Sequence, residues 1–270
     1  MNWSEFENAL KNLKDDGEFS FGFNWVDYAR YRIDENIINQ HQSDLSAIYH
    51  SFNNRGSVLD LGSGSGLSSL CFLRLGFQNV KSVDLDPYSI EAGKITMNRF
   101  AKEHLIRWAT EQGNILDPSF VQKHSRKFDV VYSWGVLHHT GDMWEAIRNA
   151  AGLVADEGIF HLTLYRSGNL YTQHLRTKFS FTLSDVEHKK KILFDYLNLI
   201  ERTVNHSVFL PKDHRGMNHF NDALDWLGGV PYEVANPDVL EAFLYSLGFK
   251  RIHFSENVQG GPFLDVYKKR

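Results

Sequence analysis

The segment VLDLGSGSGL, Val58 to Leu67, places a carboxylate, Asp60, two residues ahead of the first of three glycines at 62, 64 and 66. Glycines at that spacing let a backbone turn tightly and approach a ligand with no β-carbon in the way. A dinucleotide fingerprint, G-x-G-x-x-G, would need its third glycine at position 67, where this chain has leucine. The acidic Asp60 suits a cationic ligand better than a phosphate at the helix start. Asp84 follows Gly62 by 22 residues, in KSVDLDP, and a carboxylate there can accept both hydroxyl protons of a ribose. Together these residues imply a positively charged nucleoside. A second group is the histidine pair in VLHHT, His138 and His139. Imidazole titrates near neutral pH and can act as general base toward a hydroxyl nucleophile.

These residues fall at the ends of short apolar runs that alternate with amphipathic stretches. GSVLDLG, VKSVDLD, LIRWATEQGNI, KFDVVYSWG and GIFHLTLY read as strands. SGLSSLCFLRLG, PYSIEAGKITMNRFAKEH (opened by Pro87) and GDMWEAIRNAAGLV read as helices. Such alternation implies parallel pairing with right-handed crossovers, hence an α/β fold with an open, doubly wound sheet. Ligands of such sheets bind beyond the carboxyl ends of the strands, where both motifs lie.

Residues 1–50 form an expected N-terminal helical segment, with Trp3, Phe6 and Leu10 at helical spacing and a break at DDGEF before WVDYARYRIDENIINQ. The sheet domain is expected over 51–165 and 236–270, ending in NPDVLEAFLYSLGF, KRIHFSE and GPFLDVYKK. Between them, 166–235 breaks the rhythm and predicts an inserted, mainly helical cap over the substrate site. Within it Ser184 is expected to cap a helix lined by Leu193, Tyr196, Leu197 and Ile200, and RGMNHFNDALDWLGG to carry another ended by its glycine pair.

VLDLGSGSG, VDLDP, GNILD, FDVVYSWGVLHH and LVADEGIFHLTLY occur in an order and spacing that resembles the class I S-adenosylmethionine (SAM)-dependent methyltransferases. The resemblance covers roughly residues 55–165, and 236–270 match as a helix–strand–strand ending. SWGVLHHTGDMWEA and RGM…DWLGGVPYEVA look like bacterial small-molecule members related to the quinone-biosynthesis O-methyltransferases. It implies a Rossmann-like sheet and SAM as cofactor, leaving as S-adenosylhomocysteine (SAH). Gly62, Ser63, Gly64, Gly66 and Leu67 would lie against its methionine part, with Asp60 near the ammonium. Asp84 would hold the ribose and Leu85 pack on the adenine, with Asn114 (where the family usually has Asp) and Ile115 beside the ring. Ser133 and Trp134 would flank the sulfonium, Trp25 and Tyr28 close over the site, and Arg32 pair with the methionine carboxylate.

The implied reaction is methyl transfer to a small molecule, most simply at oxygen, with His138 or His139 as base. Nitrogen- or carbon-directed transfer and a non-catalytic SAM-binding module are the alternatives. Tyr28, Tyr165, Arg166, His174, His214 and Arg215 are the candidates for substrate contact, which suits an acidic or aromatic acceptor. Five of the 13 histidines lie between 166 and 235, and no spacing there (His206, Asp213, His214 and His219 included) matches a metal-ligand pattern, so no metal is expected.

Composition narrows the rest. The chain has 270 residues, 42% hydrophobic and 23% charged, which excludes disorder and leaves ample core. A net charge of −4 supplies no basic field for nucleic acid, and neither an N-P-P-Y or D-P-P-Y sequence nor a Pro-Cys nucleophile is present. The single Cys71 fits a reducing compartment, and the absence of an 18-residue apolar run or of a signal-peptide pattern leads to an expected cytoplasmic protein with no membrane partner. A homodimer is compatible with all of this.

Overall fold

The computed structural model describes residues 3–10, 21–204, 219–256 and 262–270. Strands β1 (Ser57–Leu61), β2 (Asn79–Asp84), β3 (Trp108–Gln112), β4 (Phe128–Trp134), β5 (Val154–Tyr165), β6 (Phe249–Ser255) and β7 (Pro262–Lys269) form one sheet in the order β3-β2-β1-β4-β5-β7-β6. Strands β1 to β5 pair in parallel, and β7 runs antiparallel between β5 and β6. The chain leaves β1 toward β2 and β3 and later returns on the other side through β4 and β5. That reversal opens a crevice between the ends of β1 and β4.

The helices are α1 (Trp3–Leu10), α2 (Phe21–Tyr31), α3 (Glu35–Tyr49), α4 (Leu67–Arg74), α5 (Pro87–Phe100), α6 (Pro118–His124), α7 (Met143–Leu153), α8 (Tyr171–Leu183), α9 (Val186–Val204), α10 (His219–Gly228) and α11 (Pro237–Ser246). Helices α5, α6 and α11 share one start signal. Asp86, Asp117 and Asn236 accept backbone N–H groups of the first turn, and a proline occupies the position that needs no donor. The signal is plain in the sequence at Pro87, and at Pro118 it opens a short helix that the apolar pattern does not show. The expected break at DDGEF lies outside the described residues.

Alternation along the strands builds a core on each face of the sheet. Val58, Val80, Val130 and Tyr132 pack with α3, α4 and α5, while Leu59, Leu61, Val131 and Leu162 pack with α7 and α11. A third cluster joins Phe6 of α1 to Phe181, Leu193, Leu197, Phe220 and Leu227 of the inserted helices. Each such side chain contributes roughly 1.5–3 kcal/mol on burial, so α1 and the helices between β5 and α11 share a core separate from those of the sheet. The two ends of the insertion meet: Ala235 N donates to Tyr165 O at 2.9 Å and Ser167 N to Ala235 O at 2.9 Å. Ser184 does not cap α9. Its hydroxyl donates to Ser180 O at 2.6 Å, and the Asp185 carboxylate accepts the His188 N–H at 2.9 Å instead. Among the described residues no helix is long and apolar enough to cross a membrane.

Candidate active site

The glycine loop is held by the strand beside it. Gly62 N and Ser63 N donate to Val83 O at 2.8 and 3.0 Å, which bends the chain out of β1 and over β2. Gly62 has φ +74°, and a β-carbon there would stand 2.3 Å from the Val136 side chain of the loop after β4. Gly66 has φ +75° and would bring a β-carbon within 2.9 Å of Gly93 Cα, so it lets α4 and α5 approach. Gly64 lies under the Trp25 indole of α2.

Two carboxylates flank this loop. Asp84 accepts from Gly64 N at 2.9 Å and from Asp86 N at 3.0 Å, one bond per oxygen, which leaves lone pairs for a ligand. Burial raises its pKa above the ordinary value. Asp60 accepts the Ser69 hydroxyl at 2.6 Å and is otherwise enclosed. Burial, with the Asp84 charge adding, pushes its carboxyl up to about 7 against the Ser69 bond. A cation beside it would reverse that shift.

A cavity of about 570 Å³ spans the crevice, a size usual for a small-molecule site. It is lined by the loop, by Asp60 and Asp84, by the ends of β4 and β5, by Trp25 and Tyr28 of α2, and by Asp222, Asp225, Val230 and Pro231 of the insertion. His138 and His139 line it from the turn after β4. His139 Nδ1 donates to Pro231 O at 2.6 Å, which in the neutral ring leaves Nε2 as the acceptor. Burial pulls its pKa down to about 4, Lys178 adds to that, and the Pro231 bond opposes it. His138 is fully buried, 4.3 Å from the His139 ring and 4.6 Å from Tyr165, and neither of its nitrogens has a hydrogen-bond partner. Burial holds it well below the ordinary imidazole range, with His139 and Lys178 adding.

The model of a methyltransferase domain family matches residues 28–220. This chain belongs to that methyltransferase family. The ribosomal protein L11 methyltransferase of Staphylococcus carnosus is 27% identical over 155 residues, 57% of this chain and 43% of the relative. That of Geobacillus kaustophilus is 33% identical over 60 residues, 22% of this chain and 19% of the relative. The chain thus matches less than half the length of these curated relatives. Among solved structures, an O-methyltransferase family protein from Burkholderia thailandensis superposes with a TM-score of 0.53 at 16% identity, over 98% of this chain and 68% of that one. Magnesium protoporphyrin IX methyltransferase from Synechocystis, solved with SAH bound, gives 0.53 at 14% identity over 100% and 96%. At these identities the structures show a shared fold. SAM is the cofactor of the family, and the donor set here fits it: an enclosed carboxylate suited to a cation, and a second with capacity for a diol.

Most of the residues expected around the cofactor in this methyltransferase line the one cavity: Asp60, Gly62, Ser63, Gly64, Leu67, Asp84, Leu85, Asn114, Ile115, Trp134 and Trp25. Asn114 is partly engaged, since its amide oxygen accepts Leu116 N at 2.9 Å. Five of the expected residues do not line the cavity. Gly66 packs against α5 rather than facing the cavity. Ser133 points to the other side of the sheet, because Tyr132 and Trp134 occupy the cavity face of β4 and side chains alternate. Arg32 is off the cavity, with its Nε 3.7 Å from the Asp27 carboxylate. Arg166 is half-exposed and paired with Glu256. His174 sits one layer back, with Nδ1 3.1 Å from the Tyr232 hydroxyl. Of the remaining substrate candidates, Tyr28 and Tyr165 line the cavity, while His214 and Arg215 lie outside the described residues.

Sequence reasoning missed His41, Ser68, Thr163, Asp222 and Asp225, all of which line the cavity. For the two aspartates a signal existed: they stand three apart on α10, off the face on which Phe220, Leu224 and Leu227 are buried. No cluster of three potential metal ligands occurs among the described residues.

Proposed function

We propose that this chain is a SAM-dependent methyltransferase that modifies a small molecule at oxygen, with His139 as general base and residues 166–235 as the cap over the acceptor. Bound SAM supplies an electrophilic methyl group and departs as SAH. Asp60 and Asp84 hold the cationic and ribose ends, and Trp25 covers the glycine loop. His139 Nε2 takes the proton of the acceptor hydroxyl while Nδ1–H stays on Pro231 O. A positioned base of this kind contributes about 10²–10⁴ in rate. Pro231 belongs to the insertion, so the base is oriented by the same segment that covers the cavity.

The observation that carries this reading is the neutral, oriented imidazole of His139 on the cavity that also holds Asp60 and Asp84. Likeness of SWGVLHHTGDMWEA to the quinone-biosynthesis O-methyltransferases supports oxygen as the target. His138 is less suited, since both its nitrogens are buried. The test is transfer of a labelled methyl group from SAM to a metabolite panel, with products located by mass. Label on a hydroxyl oxygen is expected, and label on nitrogen or carbon would refute the oxygen assignment.

A further inference from the structure

The histidine turn after β4 is gripped by the end of the insertion, residues 229–233, on both sides of the base. His139 Nδ1 donates to Pro231 O at 2.6 Å. Glu233 N donates to His138 O at 2.9 Å, and one oxygen of the Glu233 carboxylate accepts Met143 N at 2.9 Å. Tyr232, between them, bonds to α8: its hydroxyl is 3.1 Å from His174 Nδ1, and its carbonyl accepts the Tyr171 hydroxyl at 3.3 Å. A β-carbon at Gly229 would stand 2.8 Å from His139 Cε1, so the bare backbone there lets the segment lie against the imidazole edge.

Glu233 holds the turn from both ends. Its main-chain bond fixes His138 and its side-chain bond fixes the start of α7, with the base between them. The second bond is not the ordinary cap of that helix. Asp142 is the N-cap of α7 and accepts Glu145 N at 3.2 Å. The N–H of Met143, the first residue of α7, is a separate donor that the helix itself cannot satisfy, and a carboxylate there also meets the positive end of the helix dipole. Glu233 is half-buried and does not line the cavity, so it touches neither acceptor nor cofactor. What it sets is where the Pro231 carbonyl stands relative to the imidazole. A carbonyl 2.6 Å from Nδ1 keeps the proton there and leaves Nε2 open. A carbonyl displaced by about 1 Å frees the ring to exchange tautomers, and misplacement of that size costs roughly 10²-fold in rate.

We infer that Glu233 is a positioning residue for the base: by tying the insertion to His138 and Met143 it holds the Pro231 carbonyl on His139, so that the imidazole keeps its reactive tautomer only while the cap is docked. The inference rests on the reading of His139 as general base, but the tautomer itself can be observed without any acceptor.

The test uses the full chain, isotope-labelled in its histidine nitrogens and followed by NMR, as wild type, Glu233→Ala and Glu233→Gln. The His139 signals are identified by their loss in His139→Asn. Glutamine keeps an acceptor oxygen for Met143 N, and alanine removes it. In the wild type and Glu233→Gln, His139 should show the Nδ1–H form alone, and in Glu233→Ala an Nε2–H signal should appear. Methyl transfer from labelled SAM to the metabolite panel should fall roughly tenfold or more in Glu233→Ala and recover to within about threefold of wild type in Glu233→Gln. SAH affinity should stay at the wild-type value in both. An unchanged tautomer in Glu233→Ala would overturn the inference, as would a fall in transfer that glutamine does not restore. Lost SAH affinity in Glu233→Ala would also overturn it, by making the effect one of folding at large. Transfer undiminished by His139→Asn would instead remove the general-base reading, and the inference with it.

Discussion

His139 and Pro231 are 92 positions apart in sequence, yet the Nδ1 of one donates to the carbonyl of the other at 2.6 Å. The bond joins the turn after β4 to the inserted segment and selects the tautomer that leaves Nε2 for a substrate proton. Replacing His139 by alanine should lower turnover by roughly 10²–10⁴-fold and leave SAH affinity unchanged. Turnover and calorimetry on the same preparation check both halves, and unchanged turnover removes the base from the mechanism.

The pH dependence of that base follows from burial. Protonation removes its lone pair, and with a pKa of about 4 rather than the ordinary 6.5 the ring stays neutral through the mildly acidic range. At saturating cofactor, turnover should therefore show no loss attributable to His139 between about pH 8 and 5.5. A limb centred near 6.5 in the wild type, absent in His139→Asn, would contradict the placement of the ring.

Asp60 gives an opposite dependence, and it acts on binding. Its carboxyl titrates at about 7 in the free site, and a cation requires it ionised. Affinity for SAH, which carries the same ammonium, should fall up to tenfold per pH unit below about 7 and level off above. Calorimetry in buffers of different ionisation enthalpy should register a released proton near pH 6.5. Asp60→Asn should abolish that release.

Gly66 combines φ +75° with a backbone neighbour, Gly93 Cα, at 2.9 Å from any added β-carbon. Gly66→Ala forces both strain and displacement of α4 from α5, for an expected loss of about 1–3 kcal/mol. Urea unfolding measures it, and a loss under 0.5 kcal/mol (roughly that of a neutral surface change) would show that the helices yield freely.

The sheet, its order of elements and the cofactor loop were legible because local signals set them. Buried strands read as apolar runs, glycines mark the turn, and Asp84 is placed by its distance along the chain from Gly62. What the sequence does not show depends on partners. A guanidinium at 32 suits the cofactor's carboxylate by charge alone, whereas the fold sets it beside Asp27 and off the cavity. Ser133 was assigned with Trp134 although adjacent strand residues face opposite sides. Helix α8 escaped notice because its exposed Phe179 and Leu183 blur any apolar face. The acids of α10 became visible only once Phe220 and Leu224 fixed the helix rotation.

The most direct measurement is calorimetric titration of the wild type and Asp84→Ala with SAH, with NAD as control. The wild type should bind SAH and ignore NAD, and the variant should bind more weakly by about 1.5–3 kcal/mol, the worth of lost charged hydrogen bonds. Wild-type protein that takes up no SAH, or a variant that binds it undiminished, would contradict the placement of the nucleoside between Asp60 and Asp84.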